Sequence, residues 1–423
     1  RLNAMGMARG AADGPALRKM AAALEKALEE GALGLSLGLQ YFPGSQSDTQ
    51  ELAALGAVLK KYDGLIAAHL RSYSQTLPDA MAEIIDLART AEIRGQISHI
   101  FWVPDYGVAG PFMRRIIRAM ARLSAYWTPP IPLDIPLAQR IDQMMQAREA
   151  GVRIGMDVMP TTTGFTHLLA FFPPWALEGG SAAVLARLRD PEQRARIRNS
   201  IEKGRMRWPH REGDSWSMNF FRLMGWECCR IMAVASSKNK ALEGRSLMDI
   251  ARERRRHPLD VACDLLLEEE GHVLVFESMG EPEDAFTERS MFAPLRHPAV
   301  QISTDTLLMG IGKPSHLFYG CYPKFLGRFV REKRLLSLET AIHKITGLPA
   351  DHFGLRDRGR IAEGAYADIV VFDPDTIAET ATFEHPEQYP DGVDEVVING
   401  THLVQKGEWR LDRLPGKVLR RNN

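Results

Sequence analysis

Short apolar runs alternate with helical patterns along this chain, and this alternation limits its possible folds more than any other feature. Strand-like runs occupy residues 64–69, 95–99 and 152–160, and later ones occupy 272–278 and 299–305. Between the first two, "LPDAMAEIIDLARTAEI" has apolar residues at helical spacing, as does "LAQRIDQMMQAREAG" before the third. Strands that alternate with helices are typical of β/α units with a parallel sheet. We therefore predict an α/β fold.

Two regions depart from this alternation. Residues 161–235 are punctuated by Pro, Trp and Gly and are too long for a plain loop, so we interpret them as an inserted lid. From residue 357 onward the chain has short β-rich runs with Gly and Asn-Gly turn signals, which predict part of a small β-sandwich. The predicted division is a barrel portion at 1–356 and a sandwich portion at 357–423.

The composition narrows the classes of partner. The 423 residues include 53 basic and 53 acidic side chains, a balance that favours a small-molecule substrate over nucleic acid or a membrane surface. No window approaches the roughly 18 uninterrupted apolar residues of a membrane-spanning helix. Four cysteines are too few for a disulfide framework, so a reducing, cytoplasmic location is expected.

Two histidines and an aspartate each fall at the end of a predicted strand. His69 ends "LIAAH", His99 ends "GQISH" and Asp305 ends "AVQISTD". The carboxyl ends of the strands in a β/α barrel are where catalytic side chains gather, so the two imidazoles could converge on one divalent ion. The alternatives are core histidines whose hydrogen bonds are satisfied and an ordinary turn aspartate.

The order of these residues resembles the N-acyl-D-amino-acid deacylase (D-aminoacylase) family of the amidohydrolase superfamily. The resemblance extends over nearly the whole chain, and its specificity comes from the combination of motifs. These are "GALGLSLGLQYFPG", "AAHLRS", "ISHI", "GMDVMPTTTG", "FFPPWALEGG", "HPAVQISTDT", "YGCYPKFLGRFVRE", "GLRDRGRIAEGAYADIVVFD" and "VINGTHLVQKGEW".

The resemblance implies a metallohydrolase with an incomplete TIM-like β/α barrel and a β-sandwich to which the C-terminal tail contributes. It implies that His69 and His99 hold zinc, as one or two divalent ions, and that Asp305 is the catalytic general base and acid. Where relatives usually have Ser-Asp-Gly, this chain has Thr304, Asp305 and Thr306. The missing glycine removes permissive backbone geometry next to the aspartate.

The expected substrate pocket differs from that of the family. Family members hold a substrate carboxylate with a lysine and an arginine, and the matching positions here are Phe101 and Leu317. A carboxylate buried against these side chains would lack a cation, unless Arg71 or Lys313 supplied one from elsewhere.

The resemblance also implies that Tyr41 contacts the substrate or the oxyanion, although a packed aromatic ring is equally compatible with the sequence. His167 is expected on the lid side of the pocket. The "MPTTTG" segment replaces a more polar element of relatives, which again favours a neutral or hydrophobic substrate.

We therefore expect a metal-dependent amidohydrolase that cleaves a C–N bond in a neutral or hydrophobic substrate. One alternative is an N-acyl-D-amino-acid deacylase with an altered carboxylate clamp. A second alternative, from a different class, is a non-catalytic structural subunit, although such a subunit has no use for His69, His99 and Asp305 together.

The first residues resemble a segment that follows about the fourth strand of the family barrel. The early His-x-His pair and the third metal ligand of relatives therefore have no counterpart in this chain. We expect a second polypeptide to supply these residues and strands, and the chain to be the large subunit of an oligomer.

Overall fold

A computed structural model describes residues 1–204, 206–210, 215–307, 310, 312–410 and 412–421. The strands are β1 Gly34–Gly38, β2 Leu65–His69, β3 Arg94–Ile97, β4 Ile154–Val158, β5 Gly164–His167, β6 Cys229–Val234, β7 Val273–Glu277, β8 Gln301–Ile302, β9 Ile369–Phe372, β10 Val393–Ile398, β11 Thr401–Gln405 and β12 Glu408–Trp409.

Most of the remaining regular secondary structure is α-helical. The α-helices are α1 Leu2–Met5, α2 Gly14–Glu29, α3 Thr49–Lys61, α4 Leu77–Thr90, α5 Gly110–Leu123, α6 Ile135–Glu149, α7 Pro174–Leu177, α8 Ser181–Arg189, α9 Pro191–Lys203, α10 Phe220–Met224, α11 Leu247–Arg254, α12 Pro258–Glu268, α13 Phe292–Arg296, α14 Leu317–Lys324, α15 Leu338–Ile345 and α16 Gly347–Phe353. No helix of the described residues is long and apolar enough to cross a membrane.

A five-stranded parallel sheet in the order β1-β2-β3-β4-β8 forms the centre of the fold. The edge strand β1 has no buried residue, whereas most residues of β2 and every residue of β4 form buried, largely apolar runs. Such runs suit a sheet covered on both faces, because neither face needs polar residues for solvent. The α/β prediction is therefore confirmed, and helices α4 and α6 precede β3 and β4 as predicted, whereas β1 and α3 were not predicted from the sequence.

Local signals explain where these helices begin and end. The side chain of Asp48 accepts a hydrogen bond from the backbone N–H of Glu51 at 2.8 Å, which caps the start of α3. Helix α6 ends just before Gly151, which has φ of 84°. Glycine adopts this conformation readily, and it stops the helix where the sequence predicted.

The segment between β4 and β8 forms a second, antiparallel sheet in the order β5-β7-β6. The prediction that residues 272–278 form a later barrel strand is wrong, because β7 pairs antiparallel with both β5 and β6. An apolar run shows that a strand will be buried, but it does not specify which strands lie beside it. The predicted lid at 161–235 covers only the first part of this excursion, and its residues 205 and 211–214 lie outside the described residues.

The C-terminal tail forms an antiparallel sheet in the order β12-β11-β10-β9. The turn between β10 and β11 is the predicted Asn-Gly turn, with φ of 47° at Asn399 and 77° at Gly400. The domain bounds at 356 and 357 stay a prediction, as does the sandwich that this sheet would help to form.

A buried lysine fastens helix α15 to the end of α13, just before β8. The ammonium group of Lys344 donates hydrogen bonds to the carbonyl oxygens of Pro294, Leu295 and His297, at 3.1, 2.8 and 2.5 Å. The side chain is fully buried, so these carbonyls have no access to water in its place. Burial lowers the pKa of Lys344 to about 7, so the positive charge that it places at the end of α13 is lost as the pH rises above neutral.

We expect Lys344→Met to lower the free energy of unfolding by on the order of 3 kcal/mol, because it leaves buried carbonyl groups without donors. Urea unfolding followed by circular dichroism would measure this loss. The matched control is Lys26→Met, since the Lys26 side chain is 77 % exposed and should change stability by less than about 0.5 kcal/mol. Equal stability of both variants would contradict this role for Lys344.

Candidate active site

The two strand-end histidines meet beside the carboxyl ends of β2 and β3. His69 is the last residue of β2, and His99 follows β3 with φ of 36°. Nδ1 of His69 lies 3.0 Å from Nε2 of His99. Parallel pairing of β2 with β3 places the two strand ends side by side, which explains why residues 30 positions apart are in contact.

Neighbouring polar groups orient both rings. Oε1 of Gln40 lies 3.0 Å from Nε2 of His69, so this nitrogen can donate its proton to the amide and leave Nδ1 with a free lone pair. On the other ring, Nδ1 of His99 lies 3.3 Å from the hydroxyl of Tyr73. Burial, together with the nearby His99, holds the pKa of His69 well below its usual value, so its imidazole is neutral.

Asp157 holds the backbone of His99 in place. One carboxylate oxygen of Asp157 accepts a hydrogen bond from the backbone N–H of His99 at 2.6 Å, and the other accepts one from the side-chain amide of Gln96. The first bond fixes the left-handed conformation at His99, which is uncommon for residues other than glycine. Sequence analysis assigned no role to Asp157 or Gln40. The sequence pattern that could have indicated a role for Asp157 is a carboxylate within an otherwise apolar strand.

A cavity of 410 Å³ opens next to the histidine pair and contains most of the predicted site residues. His69, His99, Tyr41, Phe101 and Asp305 all line it. Much of the remaining wall is apolar, and this part includes Trp102, Met159, Phe165, Met279, Phe286 and Met291. Among the described residues that line the cavity, none is Lys or Arg.

The aromatic residues of the predicted site lie around the histidines. The ring of Tyr41 lies 4.7 Å from that of His69 and 5.6 Å from that of His167. The hydroxyl of Thr166 donates to that of Tyr41 at 3.3 Å, and burial raises the pKa of Tyr41. Phe101 stacks on Tyr73, with 4.1 Å between ring centres.

Other predicted substrate contacts are not brought to the cavity. Leu317 is buried at the start of α14 and does not line the cavity, and neither does His167. The position that aligns with the arginine of relatives therefore does not face the substrate space next to Phe101, because α14 turns this side chain into the core.

Neither proposed replacement cation reaches the cavity. Arg71 is fully buried and binds the carboxylate of Glu83 and the carbonyl oxygens of Ser45 and Ser47. Lys313 lies in a separate polar cavity with Arg230. The cationic groups of Arg71 and Lys313 therefore lie outside the cavity and do not neutralise a carboxylate within it.

Glu277, at the end of β7, is a polar residue of the cavity that sequence analysis missed. It pairs across the sheet with Gly164 and Cys229, and a Cβ atom at position 164 would lie 2.8 Å from its carboxyl oxygen. Burial raises the pKa of Glu277 to about 8, so the group is a neutral carboxylic acid near pH 7. One of its oxygens is buried with no hydrogen-bond partner among the described residues.

Comparison with known proteins shows that the chain is similar to amidohydrolases. The profile of the amidohydrolase family matches residues 251–404. The chain is 28 % identical to N-acyl-D-glutamate deacylase of Alcaligenes xylosoxydans xylosoxydans, over 96 % of this chain and 64 % of that protein. It is 26 % identical to the D-aminoacylase of the same organism, over 94 % and 63 %. The chain thus spans a little under two thirds of the length of these relatives.

Solved structures agree in fold. The N-acyl-D-glutamate deacylase of Bordetella bronchiseptica, complexed with zinc and a phosphonate mimic of the tetrahedral intermediate, superposes with a TM-score of 0.69 at 24 % identity, over 97 % of this chain and 68 % of that one. A crystal structure of D-aminoacylase gives 0.66 at 24 % identity, over 95 % and 65 %. The predicted resemblance to the D-aminoacylase-like amidohydrolases and the predicted barrel class are confirmed.

The raised pKa of Glu277 predicts a specific dependence of stability on pH. Between its ordinary pKa of 4.5 and about 8, the folded protein holds this proton and the unfolded chain does not. The stabilisation is therefore complete below pH 4.5 and is lost as the pH rises to about 8. Because glutamine does not titrate, the stability of Glu277→Gln relative to wild type should increase across this window by on the order of 5 kcal/mol.

Urea unfolding at several pH values would measure this difference. The control is Glu363→Gln, because Glu363 is exposed and the substitution should shift stability equally at every pH. Parallel stability curves for Glu277→Gln and wild type would show that the cavity does not protonate this carboxyl group.

Proposed function

We propose that this protein is a metal-dependent amidohydrolase that cleaves a C–N bond in a neutral or hydrophobic substrate. The observation that carries the proposal is the meeting of His69 and His99, with ring nitrogens 3.0 Å apart, at an apolar cavity that Asp305 also lines. The zinc of the Bordetella structure and the deacylase activities named for the curated relatives support this reaction class.

The ring nitrogens of His69 and His99 are suitable ligands for a divalent ion, and they would supply part of its coordination shell. Imidazole nitrogens in their neutral form suit zinc, which usually has three protein ligands in a catalytic site. Among the described residues, no group of three or more His, Cys, Asp or Glu side chains could hold an ion. His69 and His99 would therefore be two of the ligands, and a divalent ion bound there polarises a carbonyl group and makes water more acidic.

The side chains of the cavity can move the protons that the reaction requires. Asp305 would accept a proton from the attacking water and deliver it to the departing nitrogen, which leaves poorly as an anion. The ring of Tyr41 lies 4.7 Å from that of His69, and the raised pKa of Tyr41 keeps its hydroxyl proton for donation to the carbonyl oxygen. Gln40 contacts the ring of His69, and Asp157 holds the backbone of His99, so these two side chains position the imidazoles.

The character of the cavity supports a substrate without a free carboxylate. A charged group would have to leave water for a wall rich in Phe, Met and Trp side chains, with no Lys or Arg among the described residues that line it, which costs several kcal/mol. A second candidate is an N-acyl-D-amino-acid deacylase, as the names of the relatives suggest. A non-catalytic structural subunit stays the third alternative.

The expected second polypeptide would supply the remaining metal ligand. The relatives carry the matched region within one longer chain, of which 64 % and 63 % are matched, so their example does not support a separate subunit. The second polypeptide, the oligomeric assembly and the cytoplasmic location stay predictions.

We expect His69→Ala and Asp305→Asn to separate metal binding from proton transfer. His69→Ala should lose both the bound zinc and hydrolysis of a neutral N-acyl amide, because it removes one of about three protein ligands. Asp305→Asn should keep the zinc and lose on the order of a hundredfold or more in kcat. Elemental analysis and steady-state kinetics on the same preparations would measure both effects.

The matched control is His272→Ala, since His272 is an exposed histidine outside the cavity and should affect neither quantity. Full zinc content in His69→Ala would contradict its role as a ligand. Unchanged kcat in Asp305→Asn would assign the proton transfer to another group. A zinc-free, inactive wild-type protein in its native assembly would instead favour the structural subunit.

We expect Phe101→Lys to shift the substrate preference toward N-acyl-D-amino acids. The new ammonium group would face the cavity and pair with a carboxylate, a type of hydrogen bond that contributes about 1.5–3 kcal/mol. The ratio of kcat/KM for a carboxylate substrate to that for the matching neutral amide should rise about tenfold or more. Phe101→Leu is the control for lost stacking on Tyr73. A wild-type enzyme that already prefers the carboxylate substrate would support the second candidate function.

A further inference from the structure

Helix α5 and the loop after it expose an unusual amount of apolar surface. The side chains of Phe112, Leu123, Tyr126 and Trp127 are 66, 54, 92 and 64 % exposed, and Ile116 is 39 % exposed. Single exposed apolar residues are normal, but a contiguous group on one element marks an interaction surface.

The exposed residues of α5 form a single stripe. Phe112, Ile116, Ala119 and Leu123 recur at steps of three and four, so they lie along one face of the helix, and all four are exposed. Tyr126 and Trp127 lie in the loop that follows the last residue of the helix, Leu123. We call these six residues the α5 surface.

The α5 surface is continuous with the wall of the cavity. Met113, Ile117 and Met120 lie on the adjacent face of the helix and line the cavity, and Ile116 belongs to both the stripe and the wall. An apolar path therefore leads from the exposed side of α5 into the space beside His69 and His99.

Basic residues lie along the other edge of the stripe. Arg115 and Arg122 are exposed, whereas Arg114 and Arg118 point toward the body of the protein, where they contact the carbonyl oxygen of Arg222 at 2.9 Å and the carboxylate of Glu227 at 3.2 Å. Arg122 lies 3.2 Å from Glu281, but 72 % of its side chain remains accessible.

The charge of this segment is strongly one-sided although the whole chain has no net charge. Residues 106–133 contain four arginines, with no lysine, aspartate or glutamate. The balance of 53 basic and 53 acidic residues predicted no membrane partner, but a total conceals a local concentration of one sign.

We propose that the α5 surface docks on an anionic lipid bilayer, with α5 lying in the plane of the interface. An apolar stripe flanked by arginines and followed by Tyr and Trp is typical of helices that lie at the boundary between the lipid headgroups and the acyl chains. The absence of acidic residues from 106–133 argues for a lipid surface over a second copy of the chain, because a copy would offer the exposed arginines no opposite charge from this segment.

The position of the cavity suggests what the docking is for. A lipophilic substrate dissolved in the bilayer could pass along Ile116 and Met120 into the cavity without crossing water. This consequence rests on the proposed hydrolase function, whereas docking itself does not.

Binding to vesicles tests the proposal on the intact protein. Wild-type protein should sediment with vesicles of phosphatidylcholine and phosphatidylserine, more weakly with phosphatidylcholine alone, and less at high salt. The fluorescence emission attributed to Trp127, obtained by difference from Trp127→Phe, should shift to shorter wavelength on binding. Phe112→Ser with Leu123→Ser should weaken binding roughly tenfold or more, because these side chains would no longer leave water.

Matched variants distinguish binding through the α5 surface from binding through exposed apolar residues elsewhere in the protein. Ile361→Ser with Leu414→Ser changes side chains that are 92 and 93 % exposed elsewhere in the protein, and it should leave binding unchanged. Arg115→Gln with Arg122→Gln should remove most of the preference for phosphatidylserine. His69→Ala should bind vesicles as wild type does, so failure of the hydrolase proposal would leave this result standing.

Several outcomes would overturn the proposal. Folded wild-type protein that does not sediment with either type of vesicle would do so directly. Equal loss of binding in the control variant would show that the α5 surface is not the docking site. A concentration-dependent dimer that Phe112→Ser with Leu123→Ser dissolves, without vesicle binding, would assign the surface to a second copy of the chain.

Discussion

The parallel pairing of β2, β3 and β4 is the constraint on which the candidate site depends. Leu65 pairs with Arg94, and Gly95 pairs with Ile154, so the three strands end at one edge of the sheet. At that edge the imidazoles of His69 and His99 come within 3.0 Å, and the carboxylate of Asp157 reaches the backbone of His99. A shift of register by one residue would move each of these side chains to the opposite face of the sheet.

The cavity combines a few polar groups with a largely apolar wall, and this contrast governs its electrostatics. Burial keeps His69 neutral, holds the proton on Tyr41 and raises the pKa of Glu277 to about 8. In each case the charged form would have to leave water without a compensating partner. These three groups are thus held in their neutral forms, which suits proton donation and metal ligation, and the same wall disfavours a charged substrate.

The excursion between β4 and β8 supplies a large share of this cavity. Residues from β5, from the end of β7 and from the segment around Met291 line it, and helix α5 closes another side. The parallel sheet thus positions the histidines, whereas the inserted elements determine the size and polarity of the space beside them. This division lets substrate preference change without altering the strand ends.

The sequence by itself determined the α/β class, the strands at 65–69 and 154–158, the helix stop at Gly151 and the Asn-Gly turn of the C-terminal sheet. These features follow from local periodicity and from the conformations that single residues allow. It also placed His69 and His99 at strand ends, because both histidines directly follow apolar runs. Only the tertiary structure decided that β7 pairs antiparallel with β5 and β6, that Leu317 is turned into the core, and that Gln40, Asp157 and Glu277 belong to the site. Strand partners and side-chain neighbours are set by contacts between residues far apart in the chain, and no local pattern encodes such contacts.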